Sequence, residues 1–337
     1  MKSFEYHVGG QPVRVIVEGV PSAQGRTQVE KAAWFARHAD RYRRGLVLAP
    51  RGHADMMSVL LTEPSSPRAH AGLLFLDGGG YPHLAIPGVM AATRAAVEHE
   101  LIFARASDGD PTRSLIFDTP SGVVVARTDA SDPVPKRVIV DEVASFVQAA
   151  GLSVALSSRT VPVDIAFSGD FYALVDGEAA GVVLDESHVA ELRRIGRAVC
   201  AAVNRAATMA HPADPAAQGV AGVVFTAPAR DASAVLRMVL VSAAGCVDWS
   251  PGGTGAPAVM AVLDAMGLFA DGNEFTHEGL SGTQALCRRL RSDAVGDRVE
   301  LIADVHGEVW PTGEQTWLLD HDDPFVQGLP VAAGAPR

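Results

Sequence analysis

The sequence predicts an α+β chain built as two similar halves, each wrapping strands around one central helix. Three observations predict it. Short runs, several alternating or rich in β-branched residues, recur along the chain, most bounded by glycine or proline. Two helical runs, "PGVMAATRAAVEHE" and "APAVMAVLDAMG", are apolar nearly all round, as helices buried on every side are. Each follows a strand and a Gly-rich turn, with proline in or near its first turn, where the missing N–H does no harm. Ala85 and Gly252 stand just before these helices, 167 residues apart in a chain of 337. Equivalent features half a chain apart imply an internal repeat, whose two helix N-termini would face a shared cleft suited to a small anionic ligand. Two unrelated buried helices are the plainer alternative.

The strand runs of the first half are "PVRVIVEG", "RGLVLAP", "AGLLFLDGG", "SLIFDTPSGVVVART" and "KRVIVDEV". Those of the second are "DIAFSGDFYALVD", "AGVVFTAP", "LRMVLVSA" and "RVELIADVHGEVW". "DTPSG" and "LVDGEAAG" read as hairpin turns. "TQVEKAAWFARHADRYRRG" reads as one helix, opened by a capping box of Thr27 and Glu30. "DESHVAELRRIGRAVCAAVNRAA" is amphipathic, with Asp185 or Ser187 as its N-cap.

Composition narrows the function. The chain is 48% hydrophobic, enough for sizeable cores, and carries a net charge of −11. No basic stripe is present, which argues against nucleic acid as a partner. The start "MKSFEYHVGG" has no apolar signal region, and no run approaches the ~18 apolar residues of a membrane span. Cys200, Cys246 and Cys287 make no metal-ligand spacing and read as buried small apolar residues. A sparse, odd cysteine count suggests a reducing cytoplasm. Neither a metal nor a cofactor is expected.

The stretches "HVGGQPVRV", "PRGHADM", "GGGYPHLAIPG", "DTPSGVV", "DIAFSGDFYALVD", "HPADP", "VDWSPGGTGAPAVMA" and "DDPFVQGLP" run in order from about His7 to Leu329. Together they resemble the proline racemase family, which includes proline racemases, 4-hydroxyproline epimerases and trans-3-hydroxyproline dehydratases. The resemblance implies two domains of the diaminopimelate epimerase type, each a mostly antiparallel sheet round a central helix, with the ligand cleft between them. The first would hold residues 1–150 and about 300–337 around a helix at 87–100, and the second residues 151–299 around a helix at 254–267.

That family works with two thiols, one opening each central helix: one removes the α-proton, the other delivers a proton to the opposite face. Carried onto this chain, the resemblance puts Ala85 and Gly252 at the thiol positions and Pro87 where the family has histidine. Neither Ala nor Gly can carry a proton, so the two-thiol reaction is excluded on this reading. Proline at 87 has no N–H for a carboxylate, and Ile86 replaces a family glycine. Gly88 completes this first turn. In the second turn Gly253 and Thr254 match the family's carboxylate-holding pair, and Asp248 the contact to the ring nitrogen.

Each of these has a plainer alternative. Asp248 would otherwise be a turn aspartate bonding its own backbone, and Gly253 and Thr254 helix-capping residues. His211, in "HPADP", would be an ordinary loop residue instead of a pocket histidine. His83 is a substitute acid or base, or a solvated loop histidine. Tyr81 reads as structural, and Arg51, His53 and Asp55 as a polar support of the first domain. Asp170 and Tyr172 are secondary candidates.

Three functions fit. One is a binder of a small cyclic amino or imino acid without catalysis. The second is an epimerase, dehydratase, tautomerase or cyclase acting on a pyrrolidine or pyrroline carboxylate, with Asp248 or His83 as the single base. The third is a structural partner of an active relative. A homodimer is compatible with all three.

Overall fold

In the computed structural model, residues 1–103, 111–157, 159–251, 253–268, 274–296 and 298–329 are described. The first half runs β1 (Lys2–Val8), β2 (Gln11–Glu18), α1 (Gln28–His38), α2 (Asp40–Val47), β3 (Met57–Thr62), β4 (Ala71–Leu76), α3 (Ile86–Glu98), β5 (Thr112–Thr119), β6 (Gly122–Asp129) and β7 (Arg137–Ala155). The second runs β8 (Thr160–Ser168), β9 (Phe171–Asp176), α4 (Gly177–Ala180), α5 (Val189–Ala206), β10 (Gly222–Pro228), β11 (Leu236–Ser242), α6 (Ala256–Ala265), β12 (Glu274–Glu278), β13 (Gln284–Val295) and β14 (Arg298–Thr316). The fold is α+β, and its strands form one closed, barrel-like sheet.

The pairings repeat. In the first half β1–β2 is antiparallel, β2–β3 parallel, β3–β4 antiparallel, β4–β5 parallel, and β5–β6–β7 antiparallel. Strands β8 to β14 repeat that order, with α6 between β11 and β12 as α3 lies between β4 and β5. The long strands β7 and β14 also pair with each other, pinching the ring into two lobes. Strand β14 continues past that seam to pair with β1, and β7 to pair with β8, so both strands serve both lobes. Each parallel step needs a crossover, which α1–α2, α3, α4–α5 and α6 supply.

Each central helix is buried because the strands of its own lobe, with the shared β7 and β14, close on it. Ile86 to Ala96 of α3 and Ala256 to Val262 of α6 are buried without exception. Gly88 is required by packing: a Cβ there would come within 2.8 Å of the Phe75 ring.

Three local readings of the sequence are corrected. The run expected as one helix from Thr27 is two. Thr27 does cap α1, accepting the Glu30 N–H, but Ala39 leaves helical geometry and Asp40 starts α2, its carboxylate held by Arg43 and the Tyr81 hydroxyl. "RGLVLAP" is not a strand; its apolar residues Leu46 and Val47 are the buried end of α2. A short apolar run carries no period that separates the two. "LVDGEAAG" is not a hairpin, since β9 and β10 are parallel. Asp176 instead caps the short helix α4, and Gly181 ends it in the left-handed region at φ 72°. No helix among the described residues is long and apolar enough to cross a membrane.

Candidate functional site

The starts of α3 and α6 meet at the mouth of a cavity of about 300 Å³. The chain reaches α3 through a turn after β4. Asp77 organises that turn, its Oδ1 accepting the N–H groups of Gly79 and Gly80 at 2.7 Å each. Ala85, the N-cap of α3, is 2% exposed and gives the cavity a methyl group. The Ile86 N–H donates to Thr254 Oγ1 at 2.9 Å, and Ser168 Oγ donates to the Thr254 carbonyl at 2.8 Å. Thr254 therefore lines the cavity and also ties one helix start to the other. A Cβ on Gly253 would touch Ile86 and Pro87 at 3.4 Å, so these residues fill the space between the helices. Ile86, Pro87, Gly88 and Gly253 are not among the lining residues, whereas His83, Ala85, His211, Asp248 and Thr254 are. Gly252 lies outside the described residues.

Asp248 stands after β11, 7% exposed, with Oδ1 accepting the Ser250 N–H at 2.8 Å. Burial pushes its carboxyl above the usual range, against hydrogen bonds from the Ser250 side chain and backbone. The carboxyl of Asp77 is pushed the same way by burial, against its bonds from Gly80 and Gly79. Tyr172, on β9, is buried; burial and the charges of Asp170, Asp248 and Asp77 keep its hydroxyl protonated far above neutral pH.

Opposite them lies a histidine cluster. Asp170 clamps His83, accepting from its backbone N–H at 3.0 Å and from ring Nδ1 at 2.7 Å. Nε2 of His83 lies 3.5 Å from Asp214, and its ring stacks on His211 at 4.1 Å. Burial alone would lower the His83 pKa; the hydrogen bonds and charges of Asp170 and Asp214 overcome it and raise the net value. His211 goes the other way, lowered by burial and by His83 despite the Gly169 carbonyl. Its Nδ1 accepts the N–H groups of Ala213 and Asp214, which leaves the proton on Nε2, facing the Gly169 carbonyl at 2.8 Å. Ligand atoms of His83, Asp170 and His211 lie within 4.8 Å of one another, the spacing of a metal site. A metal would have to take His211 from bonds that already engage both its nitrogens.

Asp55 does more than support the first half. Its carboxylate accepts from the Val247 N–H at 2.8 Å, the Trp249 indole at 2.9 Å and Arg193 at 2.5 Å, all in the second half. Arg51 is held elsewhere, by Asp323 and the carbonyls of Leu318 and Phe325, and His53 accepts the Asp55 N–H. Tyr81 serves structure by bonding Asp40. Asp77, Asp214 and Cys246 were missed in the sequence. Cys246 lines the cavity beside Gly78, and burial and Asp77 push its thiol up to about 12. Asp77, before a Gly-Gly-Gly turn, carried the one readable signal, since Asp is a frequent turn former.

The proline racemase family model matches residues 4–330. A trans-3-hydroxy-L-proline dehydratase of Burkholderia cenocepacia is 35% identical over 334 residues, 98% of each chain. A proline racemase of Acetoanaerobium sticklandii is 28% identical over 331 residues, again 98% of each chain. A crystal structure of a hydroxyproline epimerase from Agrobacterium vitis, with bound trans-4-OH-L-proline, superposes with a TM-score of 0.89 at 27% identity, covering 97% of this chain and 94% of that one. The two-lobed fold, the paired helix starts and the match along nearly the whole chain agree: this chain belongs to the proline racemase family.

Proposed function

We propose that the cavity binds a small cyclic amino or imino acid of the proline or hydroxyproline kind, and that the chain does not perform two-thiol racemisation or epimerisation. One observation carries this reading: the residue that opens α3 into the cavity is Ala85, a methyl group with no proton to give or take. Inverting a carbon needs a base on one face and an acid on the other. The thiol that does line the cavity, Cys246, is raised to about 12 and is not a thiolate at neutral pH. Free Cys200, Cys246 and Cys287 support a reducing, cytoplasmic setting.

The test is α-proton exchange in D₂O, followed by proton NMR with L-proline and trans-4-hydroxy-L-proline. No protein-dependent loss of the α signal is expected; deuterium appearing there at a rate proportional to protein would overturn the reading. Binding is read in parallel by thermal shift, because a ligand at 100 times its Kd stabilises the fold by about 2.7 kcal/mol. A second reading is a one-base isomerase or lyase on a pyrrolidine or pyrroline carboxylate. The clamp of Asp170 on His83 favours it, since a carboxylate that fixes an imidazole's orientation is what a general base requires.

A further inference from the structure

We propose that residues 211–219 form a flap over the cavity, latched onto His83 by Asp214 and His211, and that small molecules enter past it while the two lobes stay together. The inference rests on the reading that the cavity is the ligand site. Its test uses a thiol reagent in place of an amino acid, so either can fail without the other.

The seam is the first argument. Beside the cavity the lobes are joined by Asp55 and its three donors, by the Trp249 N–H on Gln11 Oε1 at 2.9 Å, and by the Ile86 N–H on Thr254. Gly79 lies against Ala244, where a Cβ would come within 2.5 Å. The rim turns on this side are pinned as well. Asp77 holds Gly79 and Gly80, Arg43 donates to the Asp77 carbonyl, Tyr81 to Asp40, and Arg193 to the Gly245 carbonyl. Parting the lobes breaks the cross-seam bonds together, whereas moving residues 211–219 breaks none of them.

The build of the segment is the second argument. It lies between α5 and β10. His211, Ala217 and Gly219 line the cavity while Pro212, Ala213 and Ala216 are exposed, so the segment is a wall between cavity and solvent. Its bonds are largely internal: the His211 N–H to the Ala217 carbonyl at 2.9 Å, the Ala217 N–H to the Asp214 carbonyl at 3.0 Å, and the Ala213 and Asp214 N–H groups to His211 Nδ1. It therefore moves as one piece. Its neck is the bridge of Ala210 with Gln218, closed by the Gly219 N–H on the Met209 carbonyl. Gly219 stands there in the left-handed region at φ 80°, which glycine adopts without steric cost.

The latch is the third argument. His211 Nε2 donates to the Gly169 carbonyl at 2.8 Å, its ring stacks on His83 at 4.1 Å, and Asp214 Oδ2 faces His83 Nε2 at 3.5 Å. Among the described residues His83 is the flap's only hydrogen-bonded partner in the first lobe, and Asp170 holds it fixed by its backbone N–H and its ring. The groups facing the His83 ring are thus Asp170, Asp214 and the His211 ring. Burial opposes a charge on His83, but the two carboxylates overcome it, and burial keeps His211 neutral. Below about 6.5 a charged His83 therefore meets Asp214, and that attraction is lost as pH rises through the folded His83 value.

Modification of Cys246 by methylmercury chloride tests this. Cys246 lines the cavity and stays a thiol from pH 6 to pH 9, while Cys200 and Cys287 are buried in the core. The rate on the full chain is followed by mass spectrometry, with peptide mapping to place the mercury. Asp214→Asn keeps an oxygen for the Ala216 N–H and removes the charge facing His83. It should speed modification of Cys246 at least threefold at pH 6, and the ratio of variant to wild type should fall toward one at pH 9. Should Asp214→Asn not fold, His83→Gln carries the same expectation. Exchange of the Ile86 and Val247 N–H groups, both bonded across the seam, should be the same in variant and wild type by NMR. Equal Cys246 rates at pH 6, including no modification of either protein, would overturn the latch. A faster rate matched by faster Ile86 and Val247 exchange would overturn the flap, since the lobes then part. A ratio as large at pH 9 as at pH 6 would overturn the role of the His83 charge.

Discussion

Replacing Asp55 with alanine should loosen the seam between the two halves. The carboxylate accepts from three donors across that seam: the Val247 N–H, the Trp249 indole and the Arg193 guanidinium. Asp55 is 7% exposed on its side chain and Arg193 21%. Breaking a buried pair by removing one partner costs about 3–5 kcal/mol, because the other charge stays behind unpaired. The partial exposure of Arg193 lowers its share, while the two stranded N–H groups add to it, at about 1–3 kcal/mol for each when fully buried. A loss of about 3–5 kcal/mol is therefore expected, a large part of the 5–15 kcal/mol of a typical domain. Urea unfolding followed by Trp fluorescence measures it, with Trp249 itself at the seam. Arg193→Met alone should cost less, and the double variant should cost less than the two singles added. Strict additivity, or an Asp55→Ala loss below about 1 kcal/mol, would refute the assignment of Asp55 as the link.

Two further predictions concern protons. Asp170→Asn should lower the His83 pKa, read from the His83 ring resonances, because the charge that offsets burial is gone. The raised pKa stabilises the fold below about 6.5 and stops doing so as pH rises through the folded value, so the variant's deficit should be larger at pH 6 than at pH 9. His277, fully buried with both ring nitrogens unpaired, is pushed by burial down to about 4. Its neutral form supports the fold above about 6.5 and fails it as pH falls toward 4, a swing of about 3 kcal/mol. His277→Leu should therefore gain more over wild type at pH 4 than at pH 7 in urea melts; an equal gain at both would count against it.

The repeat was legible because its markers are backbone necessities. A Gly-rich turn and an early proline set where each central helix starts, and all-round apolarity shows that it is enclosed. Strands β1, β3, β12 and β13 were not read, and the last two show why most clearly. Their residues "EFTHE" and "QALCRRLRSDAV" carry too many charges, and they pair because β11 and β14 hold their edges. The site was half legible. Asp248, Thr254 and His83 sit in quotable turns next to the helices they serve. The partners that give them chemistry lie far off in sequence: Asp170 is 87 residues from His83, and Trp249 194 from Asp55. Such distances carry no local period or spacing, and only the closing of the two lobes brings the groups together.

What that closing does to the first helix start explains the rest of the cavity. Ile86 is fully buried against the opposite helix start, an apolar side chain worth roughly 1.5–3 kcal/mol once buried. Its N–H is satisfied by Thr254 and not by a ligand. The contact that stabilises the seam therefore also takes the first donor of α3, and Pro87 follows without an N–H of its own. Placing a thiol at Ala85 would put a proton carrier beside a helix start whose first N–H is already spent on Thr254, in a cavity where burial and Asp77 hold the Cys246 thiol protonated.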